Sequence, residues 1–313
     1  MNARLGRGMR MLLPVLTAFA LTLAAVAASA EPDRPLSVRA PRAASAVGQA
    51  SVTACNPKAS SLRPSGPLQV TPGSFMEKIR ARGYLIAGVD QNTYHFGYFN
   101  PANGQIEGFD IDMIKAVARY IGVTKVEYKA ISDDQRIPDV ENGAVDIVAH
   151  TMTILCDRLK YVDFSSVYFD AGQRVLVLKS SAARSLTALA GQKVCATTGS
   201  DSLARIIAAR AIPVRVPYWT DCLVLLQQGD VAAISTDDTI LDGLKAQDPW
   251  TMLVGSRLSD EPYGLAISKQ HPEFVRFVNA VLEQLRTDGQ WAASYRHWLG
   301  TPVPAPPQPQ YAN

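Results

Sequence analysis

The stretch at residues 149–165, A-H-T-M-T-I-L-C-D-R-L-K-Y-V-D-F-S, sets backbone carbonyls, the Thr153 hydroxyl and the Arg158 guanidinium close together. Those groups suit the head of a free amino acid. A strand end supplies carbonyl acceptors for an α-ammonium, and a guanidinium holds an α-carboxylate through two parallel charge-assisted bonds. The competing reading pairs Arg158 with Asp157 or Asp163 at the surface, where an ion pair contributes little. Which reading holds depends on the elements that would position these groups.

The chain has 313 residues and a formal charge of +3. Arg4, Arg7 and Arg10 precede an uncharged apolar run over residues 11–28, and Ala28-Ser29-Ala30 offers small residues for cleavage. This pattern predicts a secretory signal peptide over residues 1–30, cut after Ala30. An uncleaved anchor is the alternative, since the run approaches the length that spans a bilayer. Removing three arginines and no acidic residue leaves a net charge of zero, so nothing in the charge balance argues for nucleic acid or anionic lipid.

Four cysteines follow, Cys55, Cys156, Cys195 and Cys222. An even number in an exported chain reads as disulfides. Cys195 and Cys222 are close enough in sequence to share a subdomain, which leaves Cys55 for Cys156. No two cysteines are closely spaced and no histidine falls at ligand spacing, so zinc is disfavoured and no metal or cofactor is expected. Val52-Thr53-Ala54-Cys55 has the form of a lipid-attachment box but lies too far beyond the apolar run to act as one.

Residues 31–73 are rich in Ala, Ser and Pro and read as a flexible leader. Residues 302–313, with P-V-P-A-P-P-Q-P, favour extended polyproline and read as a tail outside the fold. Between them, short apolar strands at 85–89, 126–130, 145–149, 194–197 and 232–235 alternate with amphipathic helices at 109–121, 204–210, 222–228 and 274–286. In the last, Phe274, Phe277, Val278, Val281, Leu282 and Leu285 form one apolar stripe. Such alternation implies a layered α/β fold, in one large domain or two lobes.

The motifs G-V-D with Asp90, Tyr94 and Phe96, G-F-D-I-D-M (108–113), G-A-V-D-I-V (143–148), T-M-T-I-L-C-D-R, V-D-F-S, V-C-A-T-T-G-S (194–200), G-D-V-A-A-I-S-T-D-D (229–238) and Y-R-H-W-L-G come in a telling order. Together they resemble the amino-acid-binding extracellular solute-binding proteins of family 3, components of ABC transporters. The nearest likeness is to actinobacterial glutamate/aspartate/glutamine-binding lipoproteins, although their lipobox cysteine is missing here.

The resemblance implies a two-lobed periplasmic-binding-protein-like (type II) fold with two hinge strands. Lobe one would comprise residues 74–168 and 262–301, and lobe two residues 169–261. It also implies that the lobes close around an amino acid. Asp90, Tyr94 and Phe96 would receive ligand amine and side chain. Thr151 would offer its carbonyl, Thr153 its hydroxyl and Arg158 its fork. Gly199, Ser200 and Asp201 would open a helix whose free N–H groups suit a carboxylate. Asp237, following Thr236 at a strand end, would face the ammonium.

His150 and Arg174 favour glutamate or aspartate over glutamine or asparagine, while Thr198 stands where a relative carries a basic residue. Gly199-Ser200 and Asp237 as helix caps, Asp90 as a turn residue, Tyr94 or Phe96 as core and His150 as a core histidine are the competing structural roles. The expected partners are a free amino acid and an ABC permease, or a membrane receptor if the loaded state signals. The chain carries no G-x-S-x-G, H-E-x-x-H, Walker or G-x-G-x-x-G pattern, so an enzyme is not expected. The fold also hosts periplasmic dehydratases, and product formation from prephenate or arogenate would reveal one.

Overall fold

The computed structural model describes residues 55–312. The expected signal peptide and the first part of the leader lie outside them. In chain order the first elements are helix α1 (Phe75–Arg82), strands β1 (Tyr84–Val89), β2 (Asn92–Thr93), β3 (Gly97–Asn100) and β4 (Gln105–Glu107), helix α2 (Phe109–Ile121), β5 (Lys125–Ala130), α3 (Arg136–Glu141), β6 (Ile147–Ala149) and β7 (Val162–Phe164). Then come β8 (Phe169–Ala171), β9 (Gln173–Leu178), β10 (Lys193–Thr197), α4 (Ser202–Ala208), β11 (Ile212–Val216), α5 (Trp219–Gln228), β12 (Ala233–Asp237), α6 (Asp238–Gln247) and β13 (Thr251–Val254). The chain closes with β14 (Glu261–Tyr263), β15 (Ala266–Ser268), α7 (Pro272–Thr287) and α8 (Gln290–Leu299).

Two five-stranded sheets carry the fold, in the orders β5-β1-β6-β15-β7 and β11-β10-β12-β9-β13. In each, the central strands run parallel and the late or early strands join antiparallel. Each sheet has its own apolar core. Between them β8 and β14 pair antiparallel, Phe169 opposite Tyr263 and Ala171 opposite Glu261. These are two lobes and two hinge strands, the type II architecture.

Local chemistry explains the elements that matter most. Helix α2 begins after Gly108, whose φ of 139° and whose contact with the Phe96 carbonyl leave no room for a side chain: a Cβ there would sit 2.1 Å from that oxygen. Asp110 and Asp112 in its first turn suit the helix dipole. The α7 stripe is buried as its spacing requires, all six residues lying in the lobe-one core. The predicted helices at 204–210 and 222–228 start two and three residues earlier, at Ser202 and Trp219.

Cys55 bonds to Cys156 and Cys195 to Cys222. Among the described residues no helix is long and apolar enough to cross a membrane.

Two expectations change. Residues 55–73 do not dangle: Ser61 donates to the Phe164 carbonyl at 2.7 Å, Asn279 donates to the Leu62 carbonyl at 2.6 Å, and Leu62, Leu68 and Val70 pack on the lobe-one core. Nor does the tail stand outside the fold. Val303 joins the same core, Tyr311 pairs with Ser61, and the Tyr311 hydroxyl donates to Glu283 at 2.6 Å. Neither segment has the apolar content to build a core, but each borrows one already built.

Candidate functional site

The polar residues of the T-M-T-I-L-C-D-R stretch emerge where β6 ends. His150, Thr151 and Thr153 are all buried there. Thr151 has a left-handed backbone (φ 42°), unusual for a β-branched residue. Asp110 holds it, accepting the Thr151 N–H at 2.8 Å and the Tyr168 hydroxyl at 2.6 Å. Burial raises the Asp110 carboxyl to about 6, against the pull of those two bonds. Arg158 follows in a short 3-10 turn and folds back, its Nη1 donating to the Thr153 carbonyl at 2.7 Å. The residue is only 8% exposed, and its guanidinium bonds to neither Asp157 nor Asp163, the surface partners that spacing alone allowed.

From lobe two, the turn after β10 meets this arginine. Arg158 Nη2 lies 3.3 Å from the Gly199 carbonyl and 3.4 Å from Asp201 Oδ1. Gly199 must be glycine: its φ is 84°, and a Cβ would stand 2.7 Å from the backbone nitrogen of Asp134 in lobe one. Ser200 accepts the Ser202 N–H through its hydroxyl at 3.1 Å. At the end of β12, Thr236 is buried and Asp237 occupies the N-cap position of α6 without capping it by its side chain. Instead Asp237 Oδ2 accepts the hydroxyl of Tyr263, from a hinge strand, at 2.6 Å.

The charges are concentrated and buried. Burial lowers the Arg158 pKa from the usual guanidinium range, and Arg136 adds repulsion, while Asp201, Asp133 and Asp237 work the other way; the group stays a cation. Asp237 is held well above the usual carboxylate range by burial and then by Asp201 and Glu261. Among the described residues it has no lysine or arginine ion-pair partner. Burial, then Asp201, pushes Glu261 to about 7. Burial pushes the Asp201 carboxyl up, but the Arg158 cation leads the contacts that outweigh it, and Asp201 is held low.

Two residues absent from the sequence-based site stand at its centre. Arg136, on α3, is 4% exposed and ion-pairs with Asp133 at 3.0 Å. It also donates to the carbonyls of His150 at 3.2 Å and, across the lobes, Gly199 at 3.4 Å. Asp133 in turn accepts the hydroxyl of Thr197 from lobe two. Arg136 and Asp133 line one narrow space with Thr151, Ser200, Asp237 and Trp219. Larger grooves exist on outer faces, such as that between α2 and α8, but no charged residue lining it is buried.

The other expected site residues have structural partners of their own, although Asp90 lines a narrow space beside Asp133, His150 and Thr197. The Asp90 carboxylate is occupied by the N–H groups of Gln91 and Asn92 at 2.7 and 2.8 Å and by the Thr93 hydroxyl, so it shapes the turn. Phe96 sits in the lobe-one core against Phe109, Phe169 and Tyr263. Tyr94 stays half-buried at the lobe interface, where its carbonyl leaves no room for a side chain at Gly243 of α6. Thr198 is exposed and donates its backbone N–H to the Val216 carbonyl. Arg174 reaches the Gly255 carbonyl at 3.0 Å on an exposed edge, because strand alternation turns its neighbour Gln173 inward instead.

Comparison with known proteins places the chain in a family. Residues 85–301 match the family described as bacterial extracellular solute-binding proteins, family 3. The chain is 37% identical over 226 residues to the glutamine-binding protein of an ABC transporter from Bacillus subtilis, covering 71% of this chain and 83% of that one. It is 26% identical to a glutamate/aspartate import solute-binding protein from Salmonella typhimurium, covering 74% and 82%. Among solved structures, an ancestral arginine-binding protein bound to glutamine is similar at a TM-score of 0.67 and 36% identity, covering 70% of this chain and 99% of that one.

Proposed function

The chain belongs to the bacterial extracellular solute-binding proteins, family 3, and we propose that it binds one free polar amino acid between its lobes for delivery to an ABC permease. The observation that carries this reading is that the Arg158 guanidinium and the Asp237 carboxyl, which a ligand ammonium would ionise, are buried on opposite lobes of one cleft. A desolvated zwitterion needs one fixed cation and one fixed anion, since burying either charge unpaired costs several kcal/mol. Arg158 takes the α-carboxylate, Asp237 and the carbonyl of Thr151 take the ammonium, and the Thr153 hydroxyl and the Gly199–Asp201 turn complete the head site. Because the groups come from both lobes, ligand favours the closed arrangement by its differential affinity.

For the side chain we favour a carboxamide, glutamine foremost, over glutamate or aspartate. The acidic preference rested on His150 and Arg174, and Arg174 is turned to Gly255. Arg136 does enter the cleft, but its charge is matched by Asp133. The 37% identity to a glutamine-binding protein supports the same choice. Export with cleavage after Ala30 completes the proposal. Calorimetric titration of mature, unfolded-and-refolded protein with the twenty amino acids tests it. Heat with glutamine, and less affinity for glutamate, is expected; silence with all twenty would overturn the binding role.

A further inference from the structure

We propose that Asp133 selects the ligand's side chain, with its carboxylate accepting from a hydrogen-bond donor such as a carboxamide N–H and turning a ligand carboxylate away. This rests on the amino-acid reading of the cleft and goes beyond it by naming the residue that decides between ligands of one shape. Asp133 lies between β5 and α3 and is 7% exposed. Oδ2 is satisfied by the Thr197 hydroxyl. Oδ1 is not: Arg136 stands 3.0 Å away as an ionic partner, but outside the direction of a hydrogen bond, and the oxygen has no donor.

The group facing that oxygen makes the demand sharper. His150 Nδ1 lies 3.4 Å from Asp133 Oδ1 and has no hydrogen-bond partner either. Its other nitrogen, Nε2, is 3.0 Å from the Ile131 carbonyl, which can only accept, so Nε2 carries a proton. The two unpartnered atoms stand beside the space lined by Arg136, Thr151 and Asp237. A buried acceptor without a donor is costly to leave unpaired. A primary carboxamide brings the missing donor with no net charge. A ligand carboxylate would instead add an acceptor beside an anion, while the cation nearest to it, Arg136, is already matched by Asp133. An amide and an acid of equal size are thus separated by repulsion as much as by attraction.

The test is titration of ligand-stripped mature protein, its Asp133→Asn variant and a Thr197→Val variant with glutamine and glutamate. The unaltered protein should bind glutamine more tightly than glutamate, and the reverse order overturns the inference even if the variants fail to fold. Asp133→Asn keeps the shape, removes the anion and frees Arg136, so the glutamate-to-glutamine affinity ratio should rise by about tenfold or more. A ratio within about twofold of the unaltered protein's would sink it. Thr197→Val removes the lobe-bridging bond without altering charge, and should weaken both ligands alike. If it shifts the ratio as Asp133→Asn does, the effect belongs to closure and Asp133 is not the selector. Silence of the unaltered protein towards every amino acid overturns the amino-acid reading as well, whereas binding with an unmoved ratio overturns only the role of Asp133.

Discussion

Replacing Arg158 by alanine should separate binding from folding. Its Nη1 is committed to the Thr153 carbonyl at 2.7 Å, but Nη2 makes only long contacts, 3.3 Å to Gly199 and 3.4 Å to Asp201. Those long contacts are the ones a ligand carboxylate would replace with short, charge-assisted bonds. Truncating one partner of a buried hydrogen-bonded charge pair costs about 2–5 kcal/mol. At about 1.4 kcal/mol per tenfold, a middle value near 3 kcal/mol weakens glutamine binding by about 150-fold. Folding loses less. The stranded Thr153 carbonyl costs about 1–3 kcal/mol, and relief of the repulsion between Arg158 and Arg136 offsets part of it. The assay is calorimetry on Arg158→Ala and Arg158→Lys beside thermal melts. Lysine keeps the charge but not the fork, so it should fall between the two. A cooperatively melting Arg158→Ala protein that binds glutamine within about threefold of the parent would refute the head-group assignment.

Binding should release protons, because burial and neighbouring acids hold Asp237 well above the usual carboxylate range and an incoming ammonium favours its ionised form. Titration heats should therefore vary with the buffer's ionisation enthalpy and cease to do so in Asp237→Asn; buffer-independent heats in the parent protein would contradict this. Glu261, raised to about 7 by burial and then Asp201, makes the native state bind the extra proton between about 4.5 and 7. Stability from this group is complete below that window and falls as pH rises through it, by at most about 1.4 kcal/mol per pH unit. Asp110, raised to about 6, acts in the same direction. Melting temperature should drop from pH 5 to 7.5, and less steeply in Glu261→Gln; equal slopes would remove Glu261 from the explanation. The Cys195–Cys222 bond closes a separation of 27 residues inside lobe two. Converting both cysteines to serine should cost about 3–4 kcal/mol in denaturant unfolding on the chain-entropy picture, and a change below about 1 kcal/mol would rule that picture out here.

Much of the framework was legible because it depends on short-range periodicity. The α7 stripe, the apolar strands that became β1 and β10, and the disulfide pairs all follow from local spacing and parity. Thr151, Thr153, Arg158, Asp201 and Asp237, the residues proposed for the head group, stand at or just beyond element ends. Arg136 and Asp133 were missed because S-D-D-Q-R-I-P reads as an ordinary exposed turn into a short helix. Its contacts with Gly199 and Thr197 come from the other lobe, far away in sequence. Arg174 misled for a related reason. Adjacent strand residues face opposite ways, and nothing local decides whether Gln173 or Arg174 looks inward. The leader and tail misled because composition reports whether a segment can build a core, and Leu62, Val70 and Val303 needed only to join one.

The most direct test of the central claim is a crystal structure of the refolded protein loaded with glutamine. The ligand should lie between the lobes, its α-carboxylate within hydrogen-bond distance of Arg158, its ammonium at Asp237 and the Thr151 carbonyl, and its carboxamide N–H on Asp133. A ligand bound outside this cleft, or one whose α-carboxylate does not touch Arg158, would contradict the account.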